Sequence, residues 1–107
     1  MDRTIRMGGR EVPMRATAAT VRHYRVLLGR DLMTDLLSRG EGDAVFAMEA
    51  LENLAFIMAR QRDPSLPDTV EEWLDTFDDP MAVLSAADAV MDLWNANTAA
   101  LEESKKK

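Results

Sequence analysis

The side chains that could perform acid–base chemistry or bind a metal ion are a single histidine and several pairs of carboxylates. His23 is the only histidine in the chain, which has no cysteine. A catalytic or metal-binding histidine needs partners, and zinc sites usually recruit several histidine or cysteine ligands. His23 also lies between Arg22 and Tyr24 on a predicted helix. The sequence therefore favours a surface histidine over a catalytic or metal-binding one.

Paired carboxylates can exchange protons or bind hard cations such as Ca²⁺. The pairs here are Glu71 with Glu72, Asp78 with Asp79, and Asp88 with Asp92. The first two pairs lie at predicted helix starts, where negative charge interacts favourably with the helix dipole, and the third lines a polar helix face. Residues 75–79 lack the spacing and central glycine of an EF-hand loop, and no phosphate-binding motif follows Gly8 and Gly9. We therefore predict no catalytic, cofactor-binding or metal-binding residues and no enzymatic activity.

Length and composition are those of one folded domain. The chain has 107 residues, of which 47% are hydrophobic and 30% are charged, a balance typical of folded soluble proteins. The lack of cysteine leaves no disulfide framework, so the reducing cytoplasm is the expected compartment. The sequence has neither the apolar stretch of a secretory signal nor a run of about 18 apolar residues that would span a membrane.

Charge is distributed unevenly along the chain. Residues 1–40 hold eight arginines and four acids, whereas residues 41–104 hold fifteen acids and only two arginines. A negative body repels nucleic-acid phosphates, so no nucleic-acid partner is expected. The arginines of the first part could instead face the acidic part of the same or a neighbouring subunit.

The elements that position these side chains are a short hairpin and about five helices. Alternating residues at 4–7 and 10–14, separated by Gly8 and Gly9, predict a β-hairpin, in which Pro13 requires an edge position. The fold class is therefore mainly α with a small N-terminal β-hairpin (α+β), arranged as a compact helical bundle. One domain is expected over residues 1–97, with a flexible C-terminal tail at 98–107.

Helix ends are predicted from capping residues. Thr17, Asp31 and Thr69 are predicted N-caps, and Thr69 belongs to a capping box that includes Glu72. Gly29 is placed as a left-handed C-terminal residue, and Gly40 and Gly42 belong to a loop after the second helix. Asp79 and Pro80 are predicted to open the fifth helix. The predicted helices cover residues 18–28, 32–37, 43–62, 70–77 and 80–97, and the third is expected to be the most buried.

The fifth predicted helix carries two apolar faces. Such a helix is either sandwiched inside a core or shared between its own domain and a partner, and the sequence leaves both alternatives open. Methionines and tryptophans near it could form a protein-binding patch if exposed, although tryptophans in a small domain are also typical of the core. The candidate protein-binding residues are Trp73, Phe77, Met81, Ala86, Ala89, Met91, Leu93 and Trp94.

Four segments of the sequence resemble the tail assembly chaperones of long-tailed bacteriophages, encoded by siphophages or prophages. They are GREVPMR at 9–15, RHY at 22–24 with GRDL at 29–32, LAFIMAR at 54–60, and DPSLP at 63–67 leading to EEWL at 71–74. The resemblance covers about residues 5–77. At residues 16–19 this chain has ATAA, where the family pattern has an aromatic residue, so the hairpin is expected to pack differently on the first helix.

The resemblance implies a non-enzymatic chaperone that binds the tape measure protein, keeps it soluble and helps recruit tail tube subunits around it. A homo-oligomer in the cytoplasm of the infected or lysogenic host is implied, absent from the mature virion and needing no cofactor. The alternatives are a structural head–tail connector of a virion and a bacterial protein-binding adaptor or antitoxin. In this family a longer form arises by ribosomal frameshifting, and the three consecutive lysines at 105–107 suggest a slippage site, although a solubilising tail explains them equally well.

Overall fold

The architecture is an N-terminal β-hairpin followed by six helices in the residues that the structure describes. This computed structural model describes the backbone of residues 1–38 and 44–106 and the side chains of residues 1–36 and 48–96. It is mainly helical with one two-stranded antiparallel hairpin, which confirms the predicted α+β class. The predicted loop around residues 40–42 lies outside the described residues. The elements are β1 (Asp2–Met7), β2 (Arg10–Arg15), α1 (Thr20–Leu28), α2 (Leu32–Ser38), α3 (Ala44–Arg62), α4 (Val70–Leu74), α5 (Ala82–Ser85) and α6 (Ala87–Lys106).

The two strands pair antiparallel around the predicted glycine turn. Gly8 and Gly9 have φ values of 57° and 76°, the positive values that a tight two-residue hairpin turn requires. Pro13 pairs with Thr4 in a two-stranded sheet, so its missing N–H falls at an edge, as the sequence predicts. Alternation places one set of side chains against the helices, where β2 contacts α3 and β1 contacts α5 and α6. The buried members of that set are Ile5, Met7, Val12 and Met14.

Helix α3 is the central element of the core. It contacts β2 and all five other helices. Its six consecutive residues from Leu54 to Ala59 are each at most 1% exposed. Because these side chains point in every direction around the helix, α3 must be covered on all sides, which the hairpin and the other helices achieve. The prediction that this helix is the most buried is confirmed.

Several predicted helix ends are confirmed by their hydrogen bonds. Gly29 has φ 68° and donates its N–H to the Arg25 carbonyl. The Asp31 carboxylate accepts from the Met33 N–H at 3.1 Å, and the Thr69 hydroxyl accepts from the Glu72 N–H at 3.1 Å. These local patterns are readable from sequence because each involves residues within one helical turn.

The predicted start of α1 at Thr17 is wrong. The helix begins at Thr20, with Ala19 at the N-cap and no side-chain cap. The Thr17 hydroxyl instead accepts from the side-chain amide of Gln61 at 2.6 Å, while the Thr20 hydroxyl donates to the Gln61 carbonyl oxygen at 2.8 Å. The Thr17 hydroxyl also accepts from the Ala19 N–H at 3.1 Å, so it makes the predicted kind of local bond, but in a turn before the helix. The same hydroxyl is shared with a side chain of α3 that lies 44 residues away along the chain.

The predicted fifth helix, 80–97, is also wrong as a single helix. The chain forms α5 and then α6, and Ala86 between them has φ −103° and ψ 11°. The Ser85 hydroxyl donates to the Ala82 carbonyl at 3.0 Å, a local bond that competes with regular helix. Pro80 lies in a turn before α5, and α4 ends at Leu74 instead of residue 77. Helix α6 extends into the predicted tail, whose flexibility stays a prediction because its side chains lie outside the described residues.

A buried polar network that the sequence did not predict joins α1 to α2. Tyr24 donates its hydroxyl to Asp35 Oδ2 at 2.6 Å. Arg30 donates to both carboxylate oxygens, through Nε at 2.8 Å and Nη2 at 3.0 Å. The hydrogen bonds from Arg30 lower the pKa of Asp35 despite its burial, and burial is the main cause that raises the pKa of Tyr24. The network therefore holds Asp35 as a carboxylate and Tyr24 as a neutral phenol.

Candidate protein-binding surfaces

Most of the predicted binding residues lie in the core. Five of the eight are at most 9% exposed, so they offer little surface to a partner in this conformation. Of the other three, Met81 is 48% exposed, whereas Ala89 and Met91 are partly buried against the core. Use of the whole set in binding stays a prediction. The five buried residues are Trp73, Phe77, Ala86, Leu93 and Trp94.

An aromatic cluster explains the burial of Trp73. Its ring lies 5.8 Å from that of Phe56 on α3 and 5.2 Å from that of Phe77, the second contact being edge-on. Such offset arrangements are favourable beyond the area they bury. The Trp73 indole nitrogen has no hydrogen-bond partner among the described residues. The indole therefore contributes to the fold through its apolar surface.

The apolar side chains of α5 remain exposed. Met81, just before the helix, and Leu84 are 48% and 39% exposed and are separated by about one turn. We call these two residues the α5 face. Asp78, Asp79 and Asp88 are exposed nearby in the sequence. The α5 face is therefore an apolar surface flanked by negative charge, and Leu84 was absent from the predicted binding residues.

A second apolar surface lies between α1 and the C-terminal end of α3. Val26 is 74% exposed and Leu27 is 37% exposed. They line a groove of about 300 Å³ together with Ile57. The groove was missed because Val26 and Leu27 lie outside the apolar stripe that identified α1. The remaining residues that line this α1–α3 groove are His23, Arg60, Gln61 and Pro64.

A polar depression of about 360 Å³ is lined by four carboxyl groups, those of Asp35, Glu49, Glu52 and Glu71. Burial raises the pKa of Glu52, and the negative charge of Glu49 raises it further. A carboxyl group with a raised pKa is a candidate proton donor, but a reaction also needs a nucleophile or an activating group in reach. No nucleophile or activating group is placed beside Glu52 by the side chains that line this depression. Of the carboxylates in the predicted pairs, Glu71 lines the depression, whereas the pairs before α5 and on α6 lie outside it.

Neither a metal-binding cluster nor a membrane-spanning helix is found among the described residues. No cluster of three or more histidine, cysteine, aspartate or glutamate side chains converges on a possible metal position in this part of the chain. None of the helices in the described ranges combines the length and apolar character needed to cross a membrane. Comparison of the chain with protein-family models, curated proteins and solved structures gave no significant match.

Proposed function

We propose that this protein is a phage tail assembly chaperone that binds helical segments of a tape measure protein and keeps them soluble. The main support for this proposal is the exposed α5 face. Helices often recognise one another through large apolar side chains that are spaced one helical turn apart. The family resemblance in four segments supports the identity of the client. No catalytic step is part of this function.

The size of the α5 face limits how tightly one copy binds. Fully burying a large apolar side chain contributes about 1.5–3 kcal/mol. Met81 and Leu84 are already half-buried or more, so together they supply only about 1–3 kcal/mol. That is weak for a single contact, since each factor of ten in affinity needs about 1.4 kcal/mol. We therefore propose that many copies bind along one client, where the number of weak contacts provides the affinity.

The acidic character of the chain suits this role. Between Arg62 and Lys105 the sequence contains no basic residue. Copies that coat an apolar client present this negative charge to solvent, and a large net charge opposes aggregation of the coated complex. The tape measure protein is thereby kept available while tail tube subunits assemble around it.

Replacing Met81 with aspartate should reduce binding of the client. We expect the soluble yield of a co-expressed tape measure protein from the same genome to fall by a factor of about 10, since apolar contact is lost and a charge is placed in the interface. The yield is measured by quantifying the client in the soluble fraction. Met33→Asp is the matched control, because Met33 lies on α2 with nearly the same exposure, 47% against 48%.

Both variants should keep the circular dichroism spectrum and thermal midpoint of the unaltered protein. If Met81→Asp kept the client as soluble as the unaltered chain does, the α5 face would not be the client-binding surface. A client that stays insoluble with the unaltered chain would contradict the chaperone function itself. Recovery of this protein at fixed stoichiometry in finished particles would favour a structural connector.

A further inference from the structure

A depression of about 360 Å³ lies beside α5, and we call it the α5 depression. Apolar side chains form part of its lining, among them Phe77 and Val83, which are at most 9% exposed. A helix with its side chains is about 10–12 Å across, so a space of this size receives a long side chain rather than a whole helix. The carboxyl groups that line it are those of Glu52, Asp75, Asp78 and Asp79.

The α5 depression adjoins the α5 face. Pro80 and Val83 line the depression, and Met81 and Leu84 follow them directly in the chain. The backbone is already helical here, since Ser85 donates its N–H to the Met81 carbonyl at 2.9 Å. Successive residues of a helix point about 100° apart, so the two surfaces lie on neighbouring sides of the same segment. A partner helix that covers the α5 face therefore places the side chains of its flank over the depression.

The carboxyl groups of the α5 depression have no counter-charge within the described part of the chain. None of them forms an ion pair with a described side chain. The sequence contains no basic residue between Arg62 and Lys105. Arg10 reaches this region from the hairpin, but its guanidinium donates to the Thr76 carbonyl at 2.9 Å and lies 3.9 Å from the centre of the Phe77 ring. The depression therefore carries negative charge that its own molecule leaves unpaired.

A basic side chain fits the chemistry of the depression better than a metal ion does. No three acidic side chains converge on a possible metal position among the described residues. Lysine and arginine bury their aliphatic stems along apolar surface while the charged group stays near polar partners, which suits a depression with apolar and acidic lining. Burial is the main cause that raises the pKa of Glu52. A positive group in the depression would favour the charged form of Glu52 and lower this pKa.

We infer that the client segment bound at the α5 face is a basic amphipathic helix, with a lysine or arginine side chain that enters the α5 depression. The inference rests on the proposed function, since it names the chemistry of the client at the same surface. Apolar residues of that helix contact Met81 and Leu84, and its basic residue lies about one turn away on the flank. A segment with an acidic residue at this position is rejected, because like charges would be brought together.

The test compares helical peptides in NMR titrations of the isotope-labelled full chain. The peptides share one apolar face and differ at a single flanking position, which is lysine, glutamine or glutamate. The lysine peptide should bind about tenfold more tightly than the glutamine peptide, and the glutamate peptide should bind most weakly. Shifts of the amide signals of Asp78 and Leu84 report the contact. At an ionic strength of about 1 M, where the screening length falls to about 3 Å, the three affinities should converge.

Substitutions that remove charge without changing side-chain shape locate the preference. Asp75→Asn combined with Asp78→Asn should remove most of the preference for lysine and leave binding of the glutamine peptide unchanged. Asp88→Asn combined with Asp92→Asn is the matched control, because it removes the same charge from exposed positions on α6 that do not line the depression. The lysine peptide should also lower the pKa of Glu52, measured from its side-chain carboxyl signal, whereas the glutamine peptide should leave it unchanged.

Several results would overturn the inference. Equal binding of the lysine and glutamine peptides would do so, as would an equal loss of preference in both double variants. Peptides that leave the signals of the α5 segment unmoved would also overturn it.

These outcomes are separable from the fate of the proposed function. If the lysine peptide binds with the expected preference while the tape measure protein stays insoluble with the unaltered chain, the proposed function fails and the charge preference stands. If the client is kept soluble but the peptides bind equally, the proposed function stands and the inference fails.

Discussion

Replacing Asp35 with alanine should lower the free energy of unfolding by about 3 kcal/mol, measured by urea denaturation at neutral pH. The substitution leaves the Tyr24 hydroxyl, which belongs to a fully buried side chain, without its acceptor at 2.6 Å. It also removes the carboxylate that accepts two hydrogen bonds from Arg30. The guanidinium of Arg30 is 47% exposed and can form hydrogen bonds with water instead. Loss of its ion pair with Asp35 therefore lowers stability less than loss of a fully buried pair would.

Tyr24→Phe is the control for this network. It removes one hydrogen bond but leaves the Arg30 pair intact, so a loss of about 1 kcal/mol is expected. If the two substitutions were equally destabilising, the carboxylate would not be the centre of the network. If neither changed the free energy of unfolding, α1 and α2 would be held by apolar packing alone.

The same carboxylate gives stability a dependence on pH. The pKa of Asp35 is lowered in the folded protein, chiefly by hydrogen bonds from Arg30. A lowered pKa stabilises the folded state above the unfolded value of about 3.9, and this contribution is lost as pH falls through the folded pKa. The difference in stability between the unaltered chain and Asp35→Asn should therefore be constant near neutral pH and shrink below about pH 4. A difference that grew on acidification would contradict the assignment.

Replacing Gly8 with alanine should lower the free energy of unfolding by about 3 kcal/mol. Gly8 has φ 57°, a conformation that costs an L-residue about 1–2 kcal/mol. An added Cβ would also lie 2.9 Å from Ala82 Cβ and 2.9 Å from Phe77 Cδ1. Overpacking of this kind costs a further 1–3 kcal/mol or so. Urea denaturation measures the total.

Gly9→Ala separates the cost of the backbone conformation from the cost of overpacking. Gly9 has φ 76°, but nothing lies within 4 Å of its added Cβ, so only the backbone term of about 1–2 kcal/mol is expected. Equal losses at the two positions would show that the hairpin tip does not pack against Phe77 and Ala82 in solution. The contact matters for the binding surface because Ala82 is the first residue of α5.

Arg10 adds a second link between the hairpin and this region. Its guanidinium donates to the Thr76 carbonyl at 2.9 Å and lies 3.9 Å from the centre of the Phe77 ring. A guanidinium over an aromatic ring is attracted to its negative face. The segment between α4 and α5 is thus fixed from the hairpin side, which determines where Met81 projects.

The parts of the fold that the sequence predicts are those with local causes. Two glycines between alternating residues predict the hairpin turn, and Thr69 with Glu72 predicts a helix start, because the participating groups lie within a few residues of each other. The all-round apolar stretch of α3 predicts a central helix for the same reason. None of these needs knowledge of the tertiary fold.

The features that the sequence did not predict depend on residues that are distant along the chain. Thr17 precedes a turn instead of the helix itself, and its hydroxyl is shared between the Ala19 N–H and the side chain of Gln61 on α3. Trp73 is buried because Phe56 of α3 and Phe77 enclose it, which the pattern of α4 alone cannot reveal. Exposure of Val26 likewise follows from which side of α1 faces α3. The candidate surfaces are therefore defined by how the elements pack. Met81 is the one predicted binding residue whose side chain is largely exposed.

The most direct measurement of the central claim is site-specific photo-crosslinking in the co-expressed complex. A photoreactive amino acid replaces Met81 in one preparation and Met33 in a matched preparation, since the two side chains are almost equally exposed. We expect a crosslinked product with the tape measure protein from position 81 and none from position 33. A complex that forms but crosslinks only from position 33, or equally from both, would contradict the assignment of the α5 face as the client-binding surface.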